Sequence, residues 1–291
     1  MKFYDAHIYY DDLRTDFNQL ENLNKKYQCE FIISPQCTIQ SEPEKSNLMY
    51  FLQPYLLSNK FLYYIAMVIS KTFYKQNKLK FFWKIFTGFK NYHKITIPNN
   101  NDVLNIIEKY HFIKSWLWIN PTEEDSLKEF ESLYNHPKIV GIKLHNYWHN
   151  FGENDINFIL ENNKKNKPVY VILKYQNVKK LLDLLRKFNN TKFIIGYGGF
   201  PHYGRIWDEI NKLKNVYIDV ASKHLNKKLI NKIFEKFDKN KIIFSSDYPY
   251  NFQDKKKFSY QLFLKRINTN HLSNKERNDF FINNIKNIIH G

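Results

Sequence analysis

Eight short runs rich in Ile, Val, Phe and Tyr alternate along this chain with longer amphipathic runs. The eight are FYDAHIY (3–9), CEFIIS (29–34), FIKSWLWIN (112–120), IVGIKLH (139–145), PVYVILKY (168–175), TKFIIGYG (191–198), NVYIDVA (215–221) and KIIFSSD (241–247). β-Branched and aromatic residues suit a pleated, packed surface, and each run ends in polar or turn residues, so each reads as a strand. Helical patterns lie between them, among them DLRTDFNQLENLNKKY, NDVLNIIEKYH, TEEDSLKEFESLYNHP and VKKLLDLLRKFNN, and two more close the chain. Asp102 is the expected N-cap of the second of these and Thr122 of the third, where Glu123 and Glu124 fill the first turn and Pro137 lies past the end. Strand and helix alternating eight times predict a (β/α)8 TIM barrel. Near-continuous apolar strands fit a parallel sheet covered on both faces. A doubly wound open sheet gives a similar alternation, but its usual ligands need a glycine-rich phosphate turn. Neither GxGxxG nor GxxxxGK[ST] occurs.

The 291 residues suit one large α/β domain, so 1–291 reads as a single barrel. Residues 38–100 break the rhythm after strand two. Within them, FLYYIAMVISKTFYKQNKLKFFWKIF is helical in pattern, aromatic and basic. An insertion at the C-terminal end of a barrel strand overhangs the mouth, so a helical cap or lid is expected. Two other readings stay open: a homodimer contact, and a basic amphipathic helix lying on a membrane surface through 61–86.

Composition narrows the partners. Hydrophobic residues make up 43% and aromatic residues 18%, which excludes a disordered chain. The formal charge of +17 raises the question of a nucleic-acid partner. The excess is mostly lysine, spread along the whole chain, without an RNP motif, zinc finger or helix-turn-helix pattern, which argues against one. Cys29 and Cys37 form no CxxC, so a reducing cytoplasm is the expected location. The N-terminus MKFYDAHIYYDD is interrupted by charge at once and does not read as a secretory leader. The longest apolar run, FLYYIAMVI at 61–69, falls short of the roughly 20 residues a membrane helix needs.

Barrel chemistry sits at the C-terminal ends of the strands. The polar residues there are Asp5, His7 and Tyr9 on strand one, Lys143 and His145 on strand four, Lys174 on strand five, Tyr197 on strand six and Asp247 on strand eight. His149 and His202, in the loops after strands four and six, are further mouth candidates.

DAHIY, VGIKLHN, KFIIGYGGF and IIFSSDYPY, in this order and spacing, resemble four strand motifs of the amidohydrolase superfamily, within it the amidohydrolase-related (Amidohydro_2-type) branch. The resemblance spans nearly the whole chain, with 38–100 as its least matched part. It implies a metal-assisted hydrolase or, in some relatives, a non-oxidative decarboxylase. Its strand-one ligand positions fall on His7 and Tyr9, its strand-five histidine on Ile172, its strand-six histidine on Tyr197 and its strand-eight aspartate on Asp247. Three expected histidines are thus replaced. A catalytic zinc ordinarily keeps three protein ligands. His7 and Asp247 remain as metal candidates, with His145 a third only if its strand turns it inward.

The expectation is therefore a metal-poor or metal-free hydrolase acting on a small carboxylate, ester, amide or lactone, with either no cofactor or one divalent zinc or manganese. Asp247, His7, Lys143 and His145 are the catalytic candidates; Tyr9, Lys174, Tyr197 and His202 are the substrate-binding candidates. Asp247 with His7 could activate water. Asp247 and Asp5 are expected to face Lys143 and Lys174. Lys143 could anchor a carboxylate, or a desolvated lysine could attack a carbonyl, giving a lysine-dependent lyase. The resemblance adds a carboxylated Lys143 bridging metals, against which the missing histidines argue. The alternative of another class is a catalytically inactive barrel serving as a binding or scaffold protein.

Overall fold

The computed structural model describes residues 1–36, 38–40, 59, 61–62, 64–65, 92–94, 97–146, 148–149, 151–173, 178–221, 225–251, 258–267 and 269–290. Its strands are β1 (Tyr4–Tyr9), β2 (Glu30–Ser34), β3 (Ile113–Ile119), β4 (Ile139–His145), β5 (Val169–Ile172), β6 (Phe193–Ile195), β7 (Val216–Asp219) and β8 (Ile242–Ile243). All neighbours pair in parallel and in sequence order. The chain just past β8 closes the ring on β1: Ala6 N donates to Phe244 O at 3.1 Å, Asp247 N to His7 O at 3.0 Å and Tyr9 N to Tyr248 O at 2.7 Å. The eight alternating runs therefore build the expected (β/α)8 barrel.

Helices α1 (Phe17–Tyr27), α2 (Asn100–Lys109), α3 (Glu124–Leu133), α4 (Glu153–Glu161), α5 (Val178–Lys187), α6 (Gly204–Lys212) and α7 (Lys227–Lys236) connect the strands. Helix α8 (Tyr260–Arg266) follows the barrel, and the chain ends in α9 (Asn274–Asn278), a π turn over Asp279–Asn283 and α10 (Asn284–His290). Two caps differ from expectation. Asn99, not Asp102, caps α2, accepting from Asp102 N at 3.2 Å. Glu123 stands at the N-cap of α3 without a side-chain cap bond, while the Thr122 hydroxyl donates to Asn120 Oδ1 at 2.9 Å. In both places an Asn one turn earlier takes the hydrogen bond, because a short side-chain amide reaches the backbone two or three residues on.

The outer core lies between strands and helices, with Ile33, Leu117, Ile142, Val171, Ile195 and Ile218 facing out from consecutive strands. The barrel interior holds a separate apolar layer of Tyr4, Ala6, Ile32, Trp116, Val140, Ile194 and Ile243, closed by Ile285 and Ile288 of α10. Trp116 crosses this layer because Gly141 faces it: a Cβ on Gly141 would stand 2.2 Å from the indole. The indole Nε1 donates to Ala6 O at 2.7 Å, so its polar atom is satisfied inside the core.

Thr38–Gln40 and Tyr92–Lys94 pair antiparallel, so the segment after β2 leaves and returns at one point. Most of the expected cap, and most of 61–86, lies outside the described residues. No described helix is long and apolar enough to cross a membrane.

Candidate functional site

Strict alternation along β1 would put Tyr4, Ala6 and Ile8 on one face and Asp5, His7 and Tyr9 on the other. The strand does not keep it. Its register against β2 shifts between Asp5 and Ile8. Tyr4 and Ala6 face the barrel interior, Ile8 joins the outer core, and His7 and Tyr9 turn inward above the apolar layer. A local irregularity of this kind re-aims side chains, and here it delivers an imidazole to the C-terminal end of the barrel.

Lys143 comes to the same point from β4, completely buried. Its Nζ lies 2.8 Å from His7 Nε2. The same ammonium sits over the rings of Tyr9 and Trp118, 3.8 and 4.1 Å from their centroids, which is close cation–π contact. On the other side of the imidazole, Nδ1 is 3.7 Å from Asp247 Oδ1, beyond hydrogen-bond length, and has no hydrogen-bond partner among the described residues. Asp247 Oδ1 accepts from the Tyr197 hydroxyl at 3.0 Å. Tyr197 has one proton and gives it to Asp247, so the 3.0 Å contact between the Tyr9 and Tyr197 hydroxyls has Tyr9 as donor. Tyr197 and Asp247 both adopt φ of 59°, a left-handed conformation uncommon outside glycine and costing about 1–3 kcal/mol each. Both stand just past strand ends, where the barrel wall gives way to the mouth.

The electrostatics follow from burial. The His7 pKa is held well below its ordinary value by desolvation, then by the positive charge of Lys143 and by His145, so the ring is neutral. With Lys143 donating to Nε2, the ring proton falls to Nδ1, facing Asp247. Burial, then the Asp247 carboxylate, pushes the Tyr197 phenol well above its usual range, so it acts as a donor and not as a phenolate.

A second layer supports the first. Tyr170 of β5 stacks on His7, with centroids 4.5 Å apart and planes at 24°. Its hydroxyl donates to Asp219 Oδ2, and Asp219 Oδ1 accepts from Gly198 N at 3.4 Å. Gly198 reaches that position with φ of 62° and packs against Leu225, where a Cβ would come within 2.8 Å. Burial raises the Asp219 pKa to about 7 despite these hydrogen bonds. Neither Tyr170 nor Asp219 is among the sequence candidates. The signal available was parity: Tyr170 lies two residues before Ile172 on the inward face of β5, and Asp219 is the last residue of β7.

The expected residues separate as follows. His7, Tyr9, Lys143, Tyr197 and Asp247 meet in one cluster. His145 flanks it, stacked on Trp118 at 5.4 Å and 15°, with its centroid 6.4 Å from Tyr197. His149 is buried against Trp118. His202 is buried in the turn after β6, where its backbone amide donates to Gly199 O. Ile172 faces the interior as apolar packing. Lys174 lies outside the described residues. Asp5 does not face Lys143: it accepts from Ser246 N at 2.9 Å, the Tyr260 hydroxyl at 2.9 Å and His7 N at 3.2 Å. It clamps the β1–β8 closure, and burial holds its pKa up at about 6.

Among the described residues, no group of three or more His, Cys, Asp or Glu side chains is placed to hold a metal ion. The donor set around His7 is one imidazole, whose Nε2 meets an ammonium, and one carboxylate. The neighbouring Tyr197 phenol is held protonated and is a poor ligand.

Comparison with known proteins agrees with the barrel. The chain matches no curated protein sequence. It is similar in structure to a probable 2-pyrone-4,6-dicarboxylic acid hydrolase from Acinetobacter baumannii, crystallised with citric acid, at 16% identity, full coverage of both chains and a TM-score of 0.60. An amidohydrolase from Burkholderia multivorans with bound zinc aligns at 9% identity over 99% of both chains, TM-score 0.58. A dihydroxybenzoic acid decarboxylase from Polaromonas, with manganese and the inhibitor 2-nitroresorcinol, aligns at 10% identity over 99% of this chain and 96% of its own, TM-score 0.56. These identities establish the shared fold. The amidohydrolase family model matches residues 96–288, about two thirds of the sequence, from α2 into α10, with Lys143, Tyr197 and Asp247. By its sequence and by its barrel, the chain belongs to the amidohydrolase family.

Proposed function

We propose that this protein is a metal-independent amidohydrolase-family hydrolase acting on a small carboxylate, ester, amide or lactone. The observation that carries the reading is the 2.8 Å contact between Lys143 Nζ and His7 Nε2. A divalent cation about 4 Å from an ammonium would cost on the order of 8 kcal/mol at an effective dielectric near 20. Among the described residues the two donors that remain, His7 Nδ1 and Asp247, are one fewer than a catalytic zinc keeps. The residues present therefore do not fit a tightly held metal, and a lysine supplies the positive charge in its place.

The roles follow from the geometry. Asp247, accepting from the Tyr197 hydroxyl, takes the proton of the attacking water. The Lys143 ammonium stabilises the negative charge that grows on the carbonyl oxygen, while the Tyr9–Tyr197 hydroxyl pair, donating in turn toward Asp247, holds that carboxyl in place. His7 spans the ammonium and the carboxylate and relays protons between them. Tyr170, braced by Asp219, fixes the plane of the imidazole.

The test is turnover on a panel of small esters, amides and lactones before and after chelator dialysis. The reading expects activity unchanged by chelation, and lost in His7→Ala and Asp247→Ala while the fold survives. Full activity in both variants would overturn these roles; no turnover by the parent on any member of the panel would leave an inactive barrel with a binding role; loss on chelation with recovery on adding zinc would restore a metal mechanism.

A further inference from the structure

We infer that Lys143 is a covalent nucleophile, forming an imine with small aldehydes and ketones, 2-oxo acids foremost. The inference rests on the metal-independent reading of the same site and extends it to the amine itself. Three groups stand in the order that nucleophilic catalysis requires: the amine of Lys143, the imidazole of His7 at 2.8 Å, and the carboxylate of Asp247 at 3.7 Å from the far ring nitrogen. A proton passed from Lys143 to Nε2 makes an imidazolium whose other N–H faces that carboxylate, so the transfer leaves no isolated buried charge. The Tyr9 and Trp118 rings hold the amine from two sides.

The site also has an unmet polar demand. Two tryptophans lie two residues apart on β3. Trp116, in the apolar layer, gives its indole N–H to Ala6 O. Trp118, beside Lys143, is equally buried, and its Nε1 has no hydrogen-bond partner among the described residues. Buried indole donors ordinarily find one. An acceptor on the substrate beside the reacting carbonyl, such as the carboxylate of a 2-oxo acid, would satisfy it.

The step balances. The lysine ammonium gives a proton to His7, and the freed lone pair forms a C–N bond to the carbonyl carbon. The carbonyl oxygen takes that proton back from His7, giving a carbinolamine. Its hydroxyl then leaves as water, with the second amine proton passing through His7, and the nitrogen keeps its third proton. The net change is ammonium plus carbonyl to protonated imine plus water, with no oxidant or reductant.

The experiment is reductive trapping of the whole chain with pyruvate and borohydride, which supplies hydride to the imine, followed by peptide mapping. The expected result is one reduced adduct at Lys143, formed at least about tenfold faster than at any surface lysine. His7→Asn should slow it by about the same factor, and Lys143→Arg should abolish it. Mapping the unmodified protein decides the question even if a variant fails to fold. Adducts spread evenly over surface lysines, with Lys143 unreacted in metal-free protein that still hydrolyses esters, would overturn this inference alone. An unreacted Lys143 in protein that holds a stoichiometric metal would overturn it together with the proposed function.

Discussion

The two ends of the barrel interior are equally buried and differ in what burial has been made to accommodate. At the N-terminal end, Tyr4, Ile32, Trp116, Val140, Ile194 and Ile243 form an apolar layer sealed by α10. At the C-terminal end the same strands and the turns just past them, two to four residues further on, present His7, Trp118, Lys143, Tyr197 and Asp247, joined by Asp219 of β7. Lys143 and Trp116 are both fully inaccessible. Exposure alone therefore does not separate core from site in this molecule. The separating property is charge: the lower layer is apolar and its tryptophan gives its N–H to the backbone, whereas the upper tryptophan lies against the buried Lys143 ammonium. The lower layer specifies the fold, and the upper layer carries charge that only a packed barrel could hold together.

Substitutions at the two ends should separate these roles. The largest effect expected is on activity: Asp247→Ala should cut kcat by about 10^3-fold, as loss of a general base does, with thermal unfolding little changed. Comparable loss of stability would mean that Asp247 belongs to the fold. Next is the pH dependence carried by Asp219. Its carboxyl is near 4 in the unfolded chain and about 7 in the fold, so the native state holds a proton the unfolded chain releases between these values. The stability it contributes is full below about pH 4 and is lost as pH rises through about 7, to a total of about 4 kcal/mol. Denaturant unfolding from pH 5 to 8 should show this decline in the parent and a shallower one in Asp219→Asn. Parallel curves would contradict the assignment. Asp5, with its pKa at about 6, adds a smaller decline of the same sign, completed at lower pH.

At the lower end, Gly141→Ala drives a methyl into Trp116 and should cost about 1–3 kcal/mol, seen as a lower denaturation midpoint with kcat retained in the folded fraction. The smallest effect expected is that of Tyr170→Phe. The ring remains stacked on His7 but loses its tie to Asp219, so kcat should fall about tenfold with KM nearly constant. A change confined to KM would place Tyr170 in substrate binding.

Much of the architecture was legible in the sequence, because strands buried on both faces need continuous apolar runs and their rhythm counts the barrel. The same property hides the site. A run such as VYVILKY does not say which residues point inward, so Ile172 drew notice as a lost ligand position while Tyr170, the imidazole's stacking partner, did not. Asp219 sits inside the run NVYIDVA, where no motif marks it. Asp5 looked like a partner for Lys143, and a register shift inside β1 instead turns it to the β8 backbone and brings His7 round to the lysine. His7, Tyr9, Lys143, Tyr197 and Asp247 were readable as polar residues at strand ends once the barrel was counted, although they come from four strands spread over some 240 positions, and the family resemblance then marked His7, Tyr9, Tyr197 and Asp247 as ligand positions.

The central claim is that a lysine replaces the metal. Its most direct test is the metal content of protein purified without chelators, measured on samples whose turnover is recorded. The account predicts active protein with far less than one equivalent of zinc or manganese. About one tightly held equivalent, lost together with activity in Asp247→Ala, would contradict it.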